Sequence, residues 1–213
     1  MEEVFPAFSA GVISTIICNP LDTLRINYQI NNKLVISFTK GLGYGLLAIP
    51  SFWTVYFPVY KSTKETLGNS MSAYLACCLG STFSTPFWIL RQKAQTGKKH
   101  SFVNTPIKNY YNGILTTYLI NLSFTVQIPV YEFIKNKIEN NTFNIFLATA
   151  FSKTFAACIF YPLDTIRAKF RNGDTIRGLK PLNFYKGLSI YLIRSIPYHS
   201  SVFCTYEFIK KRM

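Results

Sequence analysis

Pro20-Leu21-Asp22-Thr23-Leu24-Arg25, Pro86-Phe87-Trp88-Ile89-Leu90-Arg91 and Pro162-Leu163-Asp164-Thr165-Ile166-Arg167 are one phrase written three times. In each, a proline at the end of an apolar stretch is followed five residues later by an arginine. Proline kinks a helix, and an acid and a base three residues apart share one helical face. A block of about 70 residues repeated in this way predicts three equivalent units around a common axis.

The composition says what surrounds that axis. The 213 residues are 49% hydrophobic, 16% aromatic and only 15% charged, yet carry a formal charge of +14. With a mean hydropathy of +0.17 the chain is oily for so basic a protein. The uncharged runs Gly41 to Tyr60, Thr66 to Leu90 and Asn109 to Tyr131 each reach the ~20 residues that cross ~30 Å of hydrocarbon as helix. Three other apolar runs are interrupted by Asp22, by Lys153 and Asp164, and by Arg194. Ionisable groups at membrane depth are costly unless they face a bundle interior or a wet cavity, so these are expected to point inward.

A pI near 9.6 also fits a soluble nucleic-acid binder, but there the basic residues would form one stripe. Here they collect at the ends of the apolar runs, so nucleic acid is not an expected partner. They collect on both sides of the expected spans, and charge alone sets no orientation. Met1-Glu2-Glu3 is acidic where a cleavable signal would be basic, so targeting is expected to be internal. The five cysteines lie within apolar runs, without a C-x-x-C pair, and read as small buried side chains. His100 and His199 have no acid and nucleophile nearby in sequence. No catalytic residues, metal site or cofactor are expected, and the chain is not read as an enzyme.

Each repeat reads as helix, polar loop, helix: about 5–28 and 43–65, 70–94 and 112–138, then 143–170 and 188–211. The expected fold is all-α, six transmembrane helices in three tandem hairpins (1–69, 70–140 and 141–213) forming one transmembrane domain. A second motif closes the even helices: Tyr60-Lys61-Ser62-Thr63-Lys64, Tyr131-Glu132-Phe133-Ile134-Lys135 and Tyr206-Glu207-Phe208-Ile209-Lys210. One such copy is only a solvated helix end with an ion pair of a few tenths of a kcal/mol. Three copies in register, opposed by three proline-to-arginine copies, predict a ring of charge at each end.

With the elements Phe38-Thr39-Lys40-Gly41, Tyr111-Asn112-Gly113 and Tyr185-Lys186-Gly187 after the loops, the chain resembles the mitochondrial carrier family over essentially its whole length. The resemblance implies a pseudo-threefold six-helix barrel in the inner mitochondrial membrane. It implies solute passage by alternating access, a functional monomer, and cardiolipin at the loop-helix ends. It makes Asp22, Arg25, Trp88, Arg91, Asp164 and Arg167 a matrix gate, with Asp22 pairing Arg91 and Asp164 pairing Arg25. Lys64, Glu132, Lys135, Glu207 and Lys210 become a cytoplasmic gate, with Glu132 meeting Lys210 and Glu207 meeting Lys64. Trp88 and Lys61 stand where the family has acids, so Arg167 lacks a carboxylate and is expected over the Trp88 indole. The loops are short for the family, and no regulatory extension is expected.

Seven residues beyond Gly41, Gly113 and Gly187 lie Ala48, Ile120 and Arg194, and one further lie Ile49, Asn121 and Ser195. These positions are expected to face the cavity near mid-membrane. Arg194 binds carboxylate or phosphate bidentately, and Lys153 is a second cation at similar depth. Tyr118 and Asn121 are expected near a base. Two inward cations favour an anionic small molecule as substrate.

Pro86-Phe87-Trp88, the run from Gly41 to Tyr60, Ser152-Lys153 and Tyr118 resemble the branch that carries pyrimidine nucleotides, NAD, FAD and folate. The first two even helices are most similar to the pyrimidine nucleotide carriers, while Ile120 and Asn121 depart from the Gly-Ile pair usual there. Exchange of pyrimidine or deoxynucleoside di- or triphosphates is the implied function. A dinucleotide, flavin or folate carrier, or a transport-dead carrier-like scaffold, are the alternatives.

Overall fold

A computed structural model describes residues 4–98, 106–137, 142–175, 181–195 and 197–198, and among these the structure is helical with no strand. The helices are α1 (Val4–Asn31), α2 (Leu42–Thr96), α3 (Ile114–Asn121), α4 (Ser123–Lys135) and α5 (Thr142–Asn172), and residues 188–195 are also helical. Short 3₁₀ turns, Ile107–Tyr111 and Pro181–Tyr185, precede α3 and the last helical stretch. The expected 188–211 helix extends past the described residues.

The expected helices 43–65 and 70–94 are one run of 55 residues broken at Gly68, whose φ of 75° and ψ of 168° are not helical. The chain reverses there. A Cβ on Gly45 would lie 3.1 Å from Arg91 Nε, and one on Gly80 would lie 3.0 Å from Phe52, so the two legs run antiparallel. α2 alone among the described helices is long and apolar enough to cross a membrane. It contains two of the three uncharged runs. The third is divided at Leu122 into pieces of 8 and 13 residues, each shorter than a span.

Polar and apolar residues are arranged inside out. Ser14, Asn19, Asp22, Thr23, Arg25, Asn27, Gln29, Arg91, Gln95 and Thr165 are buried, whereas Ile13, Ile17, Leu47, Phe83, Phe151 and Ile159 are exposed. Water rewards the opposite pattern, and a hydrocarbon surround with a wet centre rewards this one. Six prolines inside the helices, among them Pro20, Pro86 and Pro162, fit the same setting, since neighbouring groups re-satisfy the carbonyls that proline frees.

The elements close on themselves. α1 packs on α2, α2 on α3, α3 and α4 on α5, and α5 on α1. Residues 188–195 sit between α5 and α1, with Tyr191 below the Arg25 guanidinium at 4.5 Å and its ring 5.9 Å from that of Tyr161. Three glycines mark the seams. Gly41, Gly113 and Gly187 have φ of 71°, 79° and 84°, which a side chain resists. A Cβ on each would lie 2.7 Å from Arg91 O, 3.3 Å from Arg167 O and 3.7 Å from Arg25 O respectively. Each glycine that opens a helix thus abuts the arginine of a different proline motif, in cyclic order.

Candidate functional site

Asp22 and Arg25, Trp88 and Arg91, and Asp164 and Arg167 each lie about one helical turn apart and face the same way. The structure gathers these faces around one cavity of about 630 Å³, lined among others by Asp22, Arg25, Trp88, Arg91, Asp164, Arg167, Arg171 and Arg194. Arg91 Nη2 donates to Asp22 Oδ2 at 3.0 Å and to Asn19 Oδ1 at 2.9 Å. Arg25 pairs with Asp164, and Arg167 pairs with the same carboxylate from one turn along α5. On the other side, Arg194 Nε lies 2.5 Å from Asp22 Oδ1. Two carboxylates therefore hold four guanidinium groups. Aromatic faces supply the rest of the shielding: Arg25 lies 4.5 Å from the Tyr191 centroid and Arg194 lies 5.2 Å from that of Tyr198.

No known protein-family profile matches the chain. Individual proteins do. The chain is 26% identical to mitochondrial substrate carrier family protein W of Dictyostelium discoideum, over 98% of its length and 86% of that protein. It is 25% identical to solute carrier family 25 member 36-A of Danio rerio, over 81% of its length and 73% of that protein. With solute carrier family 25 member 33 of Homo sapiens it shares 27% identity, over 81% of its length and 70% of the relative. The similarity to mitochondrial carriers thus extends over most of the chain. These relatives are solute carriers, not enzymes.

The cavity differs from expectation in several respects. The Trp88 indole lies under Arg91 at 5.2 Å and not under Arg167. Three residues along one helix bring Arg91 over Trp88, while the Asp164 charge, also three residues away, draws Arg167 more strongly than a ring quadrupole would. Arg194 is not an isolated cation but shares Asp22. Lys153 does not line the cavity; its Nζ lies 5.5 Å from the Tyr198 centroid.

Of the positions counted along the even helices, Ile120 and Asn121 line the cavity, whereas Ala48 and Tyr118 do not. Ala48 is fully buried. The Tyr118 hydroxyl shares a hydrogen bond of 2.7 Å with Thr82 Oγ1 on α2, which ties it into a helix seam. Counting residues gives height in the membrane, but helix rotation decides which neighbour faces inward, and Ile49 replaces Ala48 in the lining. Asn121 Nδ2 donates to Ser81 Oγ at 3.3 Å.

At the far end, Lys64, Glu132 and Lys135 are exposed. Among the described residues no ion pair joins them, and Lys64 and Lys135 each lie 5.9 Å from their own helix's tyrosine, Tyr60 and Tyr131. Glu207 and Lys210 lie outside the described residues. The site also holds residues that motif reading passed over: Asn19, Gln92, Gln95, Tyr191 and Arg171. Arg171, read as the first loop residue, is helical and buried, because α5 runs on to Asn172 and ends at Gly173. There Asp174 N donates to Lys169 O at 2.9 Å, the closing bond of a glycine-terminated helix. The signal for Arg171 was its place four residues after a motif arginine, the place of Gln29 and Gln95 in the other copies.

Proposed function

We propose that this carrier exchanges nucleotides across the inner mitochondrial membrane by alternating access, its substrates being pyrimidine or deoxynucleoside di- or triphosphates. The observation that carries the proposal is the Asp22 carboxylate held between Arg91 and Arg194. Arg194 is the cation that the even-helix count assigns to substrate, and Asp22 is an acid of the closing ring. A phosphate arriving at Arg194 competes with Asp22 for the guanidinium. Its binding leaves Asp22 with Arg91 and loosens the ring on that side, which couples occupancy to opening through differential affinity.

The cavity's size and charge support the same reading. About 630 Å³ falls within the range of small-molecule sites. Among the described residues five arginines and two aspartates line it, an excess of three positive groups suited to a polyanion. The resemblance of the first two even helices, about 43–65 and 112–138, to the pyrimidine nucleotide carriers supports a pyrimidine base. Three hairpins, 1–69, 70–140 and 141–213, would supply six spans, and the cyclic glycine-to-arginine contacts support that arrangement. In this state the Asp22 and Asp164 ring is the closed matrix gate. Lys64, Glu132, Lys135, Glu207 and Lys210 would form the cytoplasmic one. The carrier works as a monomer, with cardiolipin at the loop-helix ends.

Reconstituted liposomes test this directly. Wild-type protein is expected to exchange labelled pyrimidine nucleotides, and Arg194→Ala to lower uptake to the level of empty vesicles. Wild-type uptake by Arg194→Ala removes Arg194 from the site. A competition panel of nucleotides, NAD, FAD and folate on the same vesicles ranks the substrate classes, and absence of uptake for all of them favours a scaffold.

A further inference from the structure

Arg171 is 8% exposed, lines the central cavity and has no part in the charge ring. It stands one helical turn beyond Arg167, toward the loop end of α5. The equivalent residues of the other two motifs are Gln29 and Gln95, both buried, and both reach a threonine of a neighbouring motif. Gln29 Nε2 donates to Thr165 Oγ1 at 2.8 Å, and Gln95 Nε2 donates to Thr23 Oγ1 at 3.3 Å. By the same rule Arg171 would reach residue 89, but that residue is the fully buried Ile89. Arg171 Nη2 donates instead to Thr117 Oγ1 at 3.3 Å, and its Nε is buried without an acceptor.

A permanent charge thus replaces a neutral amide. Among the described residues the ion pairs engage Arg25, Arg91, Lys98, Arg167 and Arg194, and none engages Arg171. Both cavity carboxylates are already shared by two arginines each. Burying a charge without a counter-charge is costly, so an anion arriving at this point is favoured over an empty site.

We propose that Arg171, with the Thr117 hydroxyl beside it, forms a separate anion subsite one turn beyond the gate, and that it takes a phosphate group. A guanidinium offers phosphate two parallel hydrogen bonds, and the Thr117 hydroxyl, which here donates to Gly113 O at 3.1 Å, can add a third by turning its proton from that carbonyl to the phosphate. The phosphate comes either from the transported nucleotide, in which case the subsite extends the carrier reading above, or from free inorganic phosphate.

The experiment uses the full chain in detergent, titrated calorimetrically with inorganic phosphate and pyrophosphate without nucleotide. Arg171→Gln installs the residue that the other two motifs use. It is expected to keep a cooperative melt and to weaken phosphate or pyrophosphate binding about tenfold or more. Arg171→Lys keeps the charge without the paired donors and is expected to weaken it several-fold, which serves as the measurement should Arg171→Gln not fold. Affinity unchanged from wild type in the variant measured overturns the subsite, as does absence of phosphate binding by wild type. Nucleotide uptake by wild-type liposomes, run in parallel, shows whether the carrier reading stands without it. A raised KM for nucleotide in Arg171→Gln assigns the phosphate to the substrate. An unchanged KM with weakened phosphate binding assigns it to free phosphate.

Discussion

Asp22 is a single carboxylate with two arginines, Arg91 at 3.0 Å and Arg194 at 2.5 Å, and its side chain is 12% exposed. Removing it leaves two buried guanidinium groups without their counter-charge, a change that costs about 3–5 kcal/mol where one partner of a buried pair is lost. Asp22→Ala is therefore expected to melt well below wild type in detergent. Asp22→Asn retains an acceptor oxygen and is expected to lose less. Equal melting of Asp22→Ala and wild type would show that the ring contributes nothing to stability. The same logic explains why Arg194 alone could not be assigned from its position: a cation within a span is read as free for substrate until a partner is seen.

At the scale of elements, α2 shows how two spans arise from one helical run. Its reversal rests on Gly68, whose φ of 75° and ψ of 168° lie in a region that only glycine enters readily. Among the described residues, its own chain neighbours aside, no atom lies within 4 Å of where its Cβ would be. A side chain there meets open space, so the effect of Gly68→Ala is one of backbone alone. It is expected to cost about 1–3 kcal/mol, read as a lower melting temperature together with faster proteolysis between the two legs. If Gly68→Ala melts like wild type, the reversal does not depend on this dihedral. α3 and α4 follow a different course, since Leu122 between them keeps helical dihedrals and only interrupts the ladder.

For the whole molecule, the loop end is braced between elements distant in sequence. Lys98, just past α2, donates from Nζ to Asn172 O and to Asp174 Oδ1, each at 2.8 Å, at the end of α5. Partial burial works to raise the Asp174 carboxyl. Hydrogen bonds from Lys98 and Asn172, and the charges of Lys98 and Lys169, outweigh it and hold the group below its ordinary value. A carboxyl depressed in the folded state contributes stability above its unfolded pKa, and that contribution is lost as pH falls through the folded one. The brace is half exposed, so its share is below about 1 kcal/mol. Wild type is expected to lose a small part of its thermal stability on acidification below the usual carboxylate range, and Asp174→Asn to lack that part while matching wild type at low pH. Identical acid profiles for the two proteins would show the brace to be energetically silent.

The three proline motifs carry the resemblance that implied the pairing of Asp22 with Arg91 and of Asp164 with Arg25, and both ion pairs are present. Apolar runs interrupted by charge determined an all-α chain with a polar interior. Helix rotation lies beyond a linear pattern: it turns Ile49 toward the cavity, seals Ala48 away and hands the Tyr118 hydroxyl to Thr82. Tertiary packing also decided the partners of Arg194, Arg167 and Arg171, since the direction of a guanidinium four bonds from the backbone follows from the charges and rings that other elements bring within reach, and these are distant in sequence.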